Sequence, residues 1–185
     1  MNQVFFKILI ISILCIISSN AQYHPPIHNF QPDVYKAGNQ NWNISMDDYN
    51  RTYVANNFGL LEFDGLRWTL HPTPDGSIMR SVFVKNNIVY TGAYMDFGYW
   101  LRNENGTLAY TSLADTVGFQ SIEDEQFWNI FSHKQYILFQ SLNRLVIYNQ
   151  QSNTLKTYNS EYGILDAFVN DDEIYFQDNN RTLFK

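Results

Sequence analysis

Cysteine is almost absent from this chain. Cys15 is the single one in 185 residues, and it sits in a short apolar run near the N-terminus. Disulfides, thiol chemistry and cysteine-held metals are therefore excluded together from the rest of the chain. Histidine is scarce as well: His24, His28, His71 and His133 lie far apart and give no metal-ligand spacing. No glycine-rich phosphate loop and no nucleophile elbow occurs. Positive charge is in deficit, with 12 lysines and arginines against 18 aspartates and glutamates, a net charge of −6. Nucleic-acid binding needs a basic face to displace counterions from phosphates, so this segment is not expected to contact nucleic acid. Helical periodicity of useful length is missing after residue 21. No cofactor and no metal are expected.

What is present begins with an address. Residues 1–21 carry one basic residue, Lys7, then an apolar run from Ile8 to Ile17, then Ser19-Asn20-Ala21. A short basic start, an apolar stretch of about ten residues and small residues before a cleavage point are the parts of a signal peptide. The run is too short to span a bilayer well, since about 20 residues are needed. Leu14 precedes Cys15 where lipidation requires a small residue, so a lipoprotein is not expected. The expected mature chain, residues 22–185, is exported, has no cysteine and carries a net charge of −7 once Lys7 is removed. It must hold itself together by core burial and strand pairing, for which 17% aromatic and 45% hydrophobic residues supply the material.

Those residues recur in a pattern. Segments beginning at Trp42, Arg80, Trp128 and Leu165 each place an apolar residue two positions in: Ile44, Val82, Ile130 and Ala167. A polar turn follows, then a β-rich burst: Tyr53-Val54-Ala55, Tyr90-Thr91-Gly92, Leu138-Phe139-Gln140 and Tyr175-Phe176-Gln177. A second short run comes next, at Leu60 to Phe63, Phe97 to Trp100, Leu145 to Tyr148 and Leu183-Phe184. The anchors are 38, 48 and 37 residues apart, the long interval holding an insertion at residues 116–126. A period near 40 built from short strands is the mark of β-propeller blades.

Within the first repeat, Asp47 to Asn50 and Asn56 to Gly59 read as turns, and Asp64-Gly65 as a hairpin. Arg67 to His71 reads as an outer strand, ended by Pro72 and Pro74, which lack the ladder donor. The fold class expected is all-β, an incomplete propeller of four-stranded antiparallel blades over residues 40–72, 78–113, 127–159 and 164–185, the last lacking its outer strand. About three and a half blades do not close a ring. The chain therefore reads as the N-terminal part of a longer protein, with Pro26 to Phe30 as an outer strand that completes the parent's last blade.

The run WNISMDDYNRTYVANNFGLLEFDG, continuing to RW, resembles the propeller repeats of bacterial two-component-type regulators. It resembles above all the exported N-terminal sensor region of triple-tyrosine-motif regulators from Bacteroidetes-like bacteria. The matching positions are Trp42, Ile44, Asp47, Tyr53, Ala55, Gly59, Leu60, Phe63, Asp64 and Gly65, and AGNQNWNI just before is similar to that family's N-terminal lead-in. The resemblance covers residues 25–185. It implies a periplasmic propeller whose parent continues into a β-sandwich, a membrane helix and a helix-turn-helix or histidine-kinase output, so that transcription control belongs to the remainder of the parent chain.

Acidic pairs at Asp47-Asp48 and Asp171-Asp172-Glu173 fall at equivalent first turns and read as solvated turn formers rather than acid–base pairs. Glu123-Asp124-Glu125 in the insertion reads as a solvated loop. The binding candidates are the residues that enter the innermost strands and rim an axial channel: Trp42, Asn43, Arg80, Ser81, Trp128, Asn129 and Asp166. Aromatic faces among amide, hydroxyl and guanidinium groups suit a polar small molecule or glycan. The competing assignment packs both tryptophans between blades as core. The function expected is a non-catalytic extracytoplasmic sensor propeller of a signal-transduction regulator. A polysaccharide-acting propeller enzyme and a structural or adhesive propeller are the alternatives.

Overall fold

The computed structural model describes Gln3, Lys7 and residues 27–185. Residues 1–30 and 31–185 form two separate units. The signal-peptide assignment thus falls almost wholly outside the described residues, and Pro26 does too. Ile27 to Phe30 carry no strand, contrary to expectation. The next residues turn instead into a single helical turn, α1 (Pro32–Tyr35), with Pro32 in its first turn, where a missing N–H costs nothing. Tyr35 is buried, its ring 5.8 Å from that of Trp68. Among the described residues no helix is long and apolar enough to cross a membrane.

The second unit is a series of antiparallel sheets, each a meander. Sheet 1 runs β1 (Asn41–Met46), β2 (Thr52–Asn56), β3 (Gly59–Phe63) and β4 (Trp68–His71). Sheet 2 runs β5 (Met79–Lys85), β6 (Ile88–Ala93), β7 (Phe97–Arg102) and β8 (Leu108–Ser112). A second helical turn, α2 (Leu113–Val117), opens the insertion. Sheet 3 comprises β9 (Asn129–His133), β10 (Tyr136–Gln140), β11 (Arg144–Asn149) and β12 (Thr154–Asn159). Sheet 4 has three strands, β13 (Ile164–Asn170), β14 (Glu173–Asp178) and β15 (Leu183–Phe184). The four anchors Ile44, Val82, Ile130 and Ala167 all lie on the first strand of their sheet, as the repeat predicts. This is the propeller-blade architecture.

The turns obey local chemistry. Asp64 Oδ1 accepts from the N–H of Leu66 and of Arg67, and Gly65 takes a φ of 95°, closing the β3–β4 hairpin. Asp47 Oδ1 accepts from Tyr49 and Arg51 N–H, while its Oδ2 takes the Arg51 guanidinium at 2.7 Å and the Tyr53 hydroxyl at 3.1 Å. Asp47 is thus a turn former as expected, but a buried one rather than a solvated one. Burial alone raises its pKa, and the bonds from Arg51 and Tyr49 outweigh that and hold it below the usual aspartate value.

Packing follows the period of two. Val89 turns toward sheet 1 while its neighbour Tyr90 turns toward sheet 3. Ile137 and Phe139 face sheet 2, and Leu138 between them faces sheet 4. Three apolar clusters result, one between each consecutive pair of sheets. Tyr53, Leu60, Val82 and Trp100 anchor the first; Tyr90, Phe97, Phe127 and Phe139 the second; Leu138, Ile164 and Phe176 the third. The two outermost sheet faces are different. Ile44 is 68% exposed although its counterparts Val82 and Ile130 are buried. On sheet 4, Leu165, Phe168 and Leu183 are likewise exposed.

Polar groups cross the same seams. Arg102 on β7 pairs with Glu62 on β3 and reaches the Tyr53 hydroxyl, and His71 Nε2 lies 3.0 Å from the other Glu62 oxygen. Burial raises the Glu62 pKa, but His71 and Arg102 outweigh it, so the carboxyl sits below its ordinary value. The insertion corrects another expectation. Glu125 is buried, not solvated: it pairs with the Arg144 guanidinium and accepts from the Ser141 hydroxyl at 2.8 Å.

Candidate ligand site at the inner-strand edge

Because each sheet is a meander, the starts of the inner strands, the turns between second and third strands, and the links between sheets share one edge of the stack. On that edge the backbone does something no sequence pattern shows. In sheet 1, Asn41 faces Asn56 and Asn43 faces Ala55, leaving Trp42 without a partner. In sheet 2, Met79 faces Ala93 and Ser81 faces Gly92, so Arg80 is the extra residue. In sheet 4 the same irregularity falls on Leu165. Trp128, just ahead of β9, donates its N–H to the carbonyl of Gln140, which Asn129 already faces. A bulge of this kind re-aims one side chain out of the alternating pattern.

Three of these re-aimed side chains meet. The Arg80 guanidinium carbon lies 4.3 Å from the Trp42 ring centre and 4.7 Å from that of Trp128, and the two indoles touch edge to face at 5.7 Å. A cation over an indole face is attracted by the ring quadrupole, by about 0.5–2 kcal/mol according to solvation. Arg80 Nε donates to Gln126 Oε1 at 2.7 Å, and Trp42 Nε1 donates to Asn57 Oδ1 at 2.7 Å. Arg80 Nη1 is buried without an acceptor. Arg51, Arg102 and Arg144 each have a carboxylate partner, whereas no carboxylate pairs with Arg80 among the described residues. Burial pulls its pKa down from the ordinary arginine value.

The predicted rim therefore divides. Trp42, Arg80 and Trp128 come together from three sheets. Trp42 remains 42% exposed and Trp128 is half-buried, so neither is a fully packed core residue. Ser81 is buried and donates to the Phe127 carbonyl at 2.8 Å, which makes it a fastener between sheets 2 and 3 rather than a rim group. Asn129 Nδ2 donates to Gln140 Oε1 at 3.4 Å. Asn43 is half-buried within β1. Asp166 bonds the Ala167 N–H and joins none of the others; the bulged position in its sheet is Leu165, which carries no polar group. Gln126 and Asn57, which orient Arg80 and Trp42, went unread because isolated amides in turns carry no pattern.

The insertion supplies a second concavity on this edge. Met95 N–H donates to the Glu125 carbonyl and Ser121 Oγ to the Met95 carbonyl, folding the insertion over the β6–β7 turn. A cavity of about 620 Å³ opens there, lined by Asp75, Asp96, Tyr110, Asp115 and Phe119 among others. Asp96 accepts from Tyr110 and Ser112 at 2.7 Å each, yet burial outweighs those bonds and raises its pKa. Its hydrogen bonds are satisfied within the fold.

No known protein family matches the sequence, and no curated protein does. Solved structures do match in fold. One is the extracellular domain of BT4673 from B. thetaiotaomicron, a proposed one-component system. It has a TM-score of 0.56 and 16% identity over 77% of this chain and 20% of that one. The computationally designed Ika4 protein gives 0.59 at 12% identity, over 78% of this chain and 89% of that one. Virginiamycin B lyase from Staphylococcus aureus gives 0.57 at 12% identity, over 79% of this chain and 56% of that one. The chain thus spans about a fifth of BT4673's extracellular domain and about half of the lyase. The fold is that of propeller blades, including those of an extracellular domain of the kind the sequence resembles.

Proposed function

We propose that this chain is the recognition part of an exported, membrane-anchored bacterial sensory protein, working in the periplasm and without catalysis of its own. The observation that carries this reading is the convergence of Trp42, Arg80 and Trp128 from three sheets onto one edge. The Trp128 face, a cation without a carboxylate and flanking amides form a surface for binding a polar organic ligand, with the Trp42 ring over the same cation. The fold shared with an extracellular domain of a signalling protein supports it. In this reading ligand binding shifts the population of two arrangements of the parent, and the rest of the parent chain carries that shift to a transcriptional output.

The test is deletion of the gene in its host, followed by transcript profiling across a panel of carbon sources and small polar metabolites. Loss of an inducible transcript set under at least one condition is expected. Identical profiles across the panel would remove the sensory reading. Release of product when the purified chain is incubated with host-relevant glycans would overturn its non-catalytic part.

A further inference from the structure

One buried donor at the inner-strand edge lacks an acceptor. Arg80 spends Nε on Gln126, and its Nη1 is out of solvent with nothing to accept from it. An orphaned buried donor destabilises the fold, the more so when it is charged. The indoles hold the cation by their faces but accept no strong hydrogen bond from its edge. The indole N–H of Trp42 is taken up by Asn57. The site is therefore short of acceptors around a fixed positive charge. It lies in a chain whose other charges are mostly negative, with a net charge of −6.

We propose that Arg80 is the recognition residue for a small ligand bearing a carboxylate. Its two oxygens satisfy the planar edge of the guanidinium, and the ligand's body lies against Trp128. The inference rests on the binding reading above and names the chemistry of that same site. A planar carboxylate matches the arginine fork in geometry as well as charge. Since Nη1 is covered, a side chain must give way to admit the ligand. Trp42 is the one placed to do so: it is 42% exposed, and it stands on a bulge at the start of β1, whose own outer face is uncovered. The site then has two states. In one the cation is held between two rings; in the other Trp42 has swung out and the cation is paired with the ligand's anion.

The same chemistry exists on acidic sugars and on peptide C-termini, and the probes separate the two. The chain, purified after export, is titrated with glucuronate and with N-acetylglycine, and with the neutral counterparts glucose and N-acetylglycinamide, at constant ionic strength. Binding is read by calorimetry and by tryptophan emission. At least one carboxylate is expected to bind roughly tenfold or more tighter than its neutral counterpart, as a charge-assisted bond allows. Which of the two does so identifies the source. Arg80→Gln should lose that difference, and Arg80→Lys, which keeps charge but not the fork, should recover only part of it. Trp42→Ala should bind the carboxylate at least as tightly as the parent, because the displaced ring is gone. Circular dichroism confirms folding, and Arg80→Lys keeps the test decisive should Arg80→Gln fail to fold. Equal affinity for charged and neutral probes, binding of none of them, or an unchanged preference in Arg80→Gln would overturn the proposal. Transcript profiling of the deletion strain is unaffected by that outcome, so failure here leaves the sensory reading to its own test.

Discussion

Arg144 on β11 and Glu125 at the end of the insertion form an ion pair almost closed to solvent, with side chains 12% and 1% exposed. The pair fixes an eleven-residue detour onto sheet 3, and Arg144 also covers the Phe119 ring with its guanidinium carbon 4.6 Å away. Removing one partner of such a pair strands the other charge. Glu125→Ala should cost about 3–5 kcal/mol, the range for breaking buried pairs. Thermal unfolding beside an exposed control, Glu123→Ala, checks this; equal midpoints for the two variants would mean that the clip is dispensable.

The seam between sheets 1 and 2 sets a pH dependence. Glu62 and Asp47 both have folded pKa values below their ordinary 4.5 and 3.8. Their contribution is complete above those ordinary values and is lost as pH falls through the lower folded ones. Asp96, raised above 3.8 by burial, acts in the opposite sense: it favours the fold in acid and loses that contribution as pH rises through its folded pKa. Glu62→Gln should therefore be less stable than the parent at pH 7 and lose less on acidification below pH 4.5. Unfolding midpoints at several pH values give both slopes, and parallel slopes would count against the Glu62 assignment.

Gly92 stands where sheets 2 and 3 are fastened. A Cβ there would lie 2.5 Å from Ser81 Oγ and 2.6 Å from the Phe127 carbonyl. Neither the hydroxyl, held by that carbonyl, nor the backbone has room to retreat. Gly92→Ala should lose about 1–3 kcal/mol, as overpacked sites do, and should loosen the neighbouring Arg80–Gln126 contact. Denaturant unfolding reads the first effect; a neutral or stabilising result would contradict it.

Ile44 and Val82 occupy the same place in successive repeats yet live in different surroundings. Val82→Lys should abolish folding by burying an unpaired ammonium. Ile44→Lys should change stability by no more than about 0.5 kcal/mol, the range for surface positions. The same change should reduce self-association of the chain through its uncovered apolar face. Sedimentation and thermal unfolding of both variants decide it. Severe destabilisation by Ile44→Lys would mean that β1 is covered.

Much of this was legible because strand alternation and turn chemistry are local. Tyr53-Val54-Ala55 and Asp64-Gly65 each announce their geometry within a few residues. Trp42, Arg80 and Trp128 could be grouped because the repeat aligns them, and the structure brings them within ring contact. What the repeat could not show was the bulge, which is a property of pairing between strands. The bulge is also what separates Trp42 and Arg80 from the strand residues Asn43, Ser81 and Asp166 that follow the bulged positions in their repeats. Long-range partners were equally hidden. Glu125 reads as one of three consecutive acids until Arg144, nineteen residues on, is folded against it. The helical turn at Pro32–Tyr35 was missed because four residues are too few to show a period.

The three apolar clusters join only neighbouring sheets, so cohesion is passed along the series link by link, as in a linear array. The middle link, built around Tyr90, Phe97 and Phe139, is the richest in buried aromatic rings, and the link to the three-stranded sheet is the poorest. Amide protons of β6 and β10 should then be the last to exchange with solvent, and those of β14 and β15 among the first. The chain would come apart as a row loses its end member, and the cation between the two indoles would be among the later contacts to go.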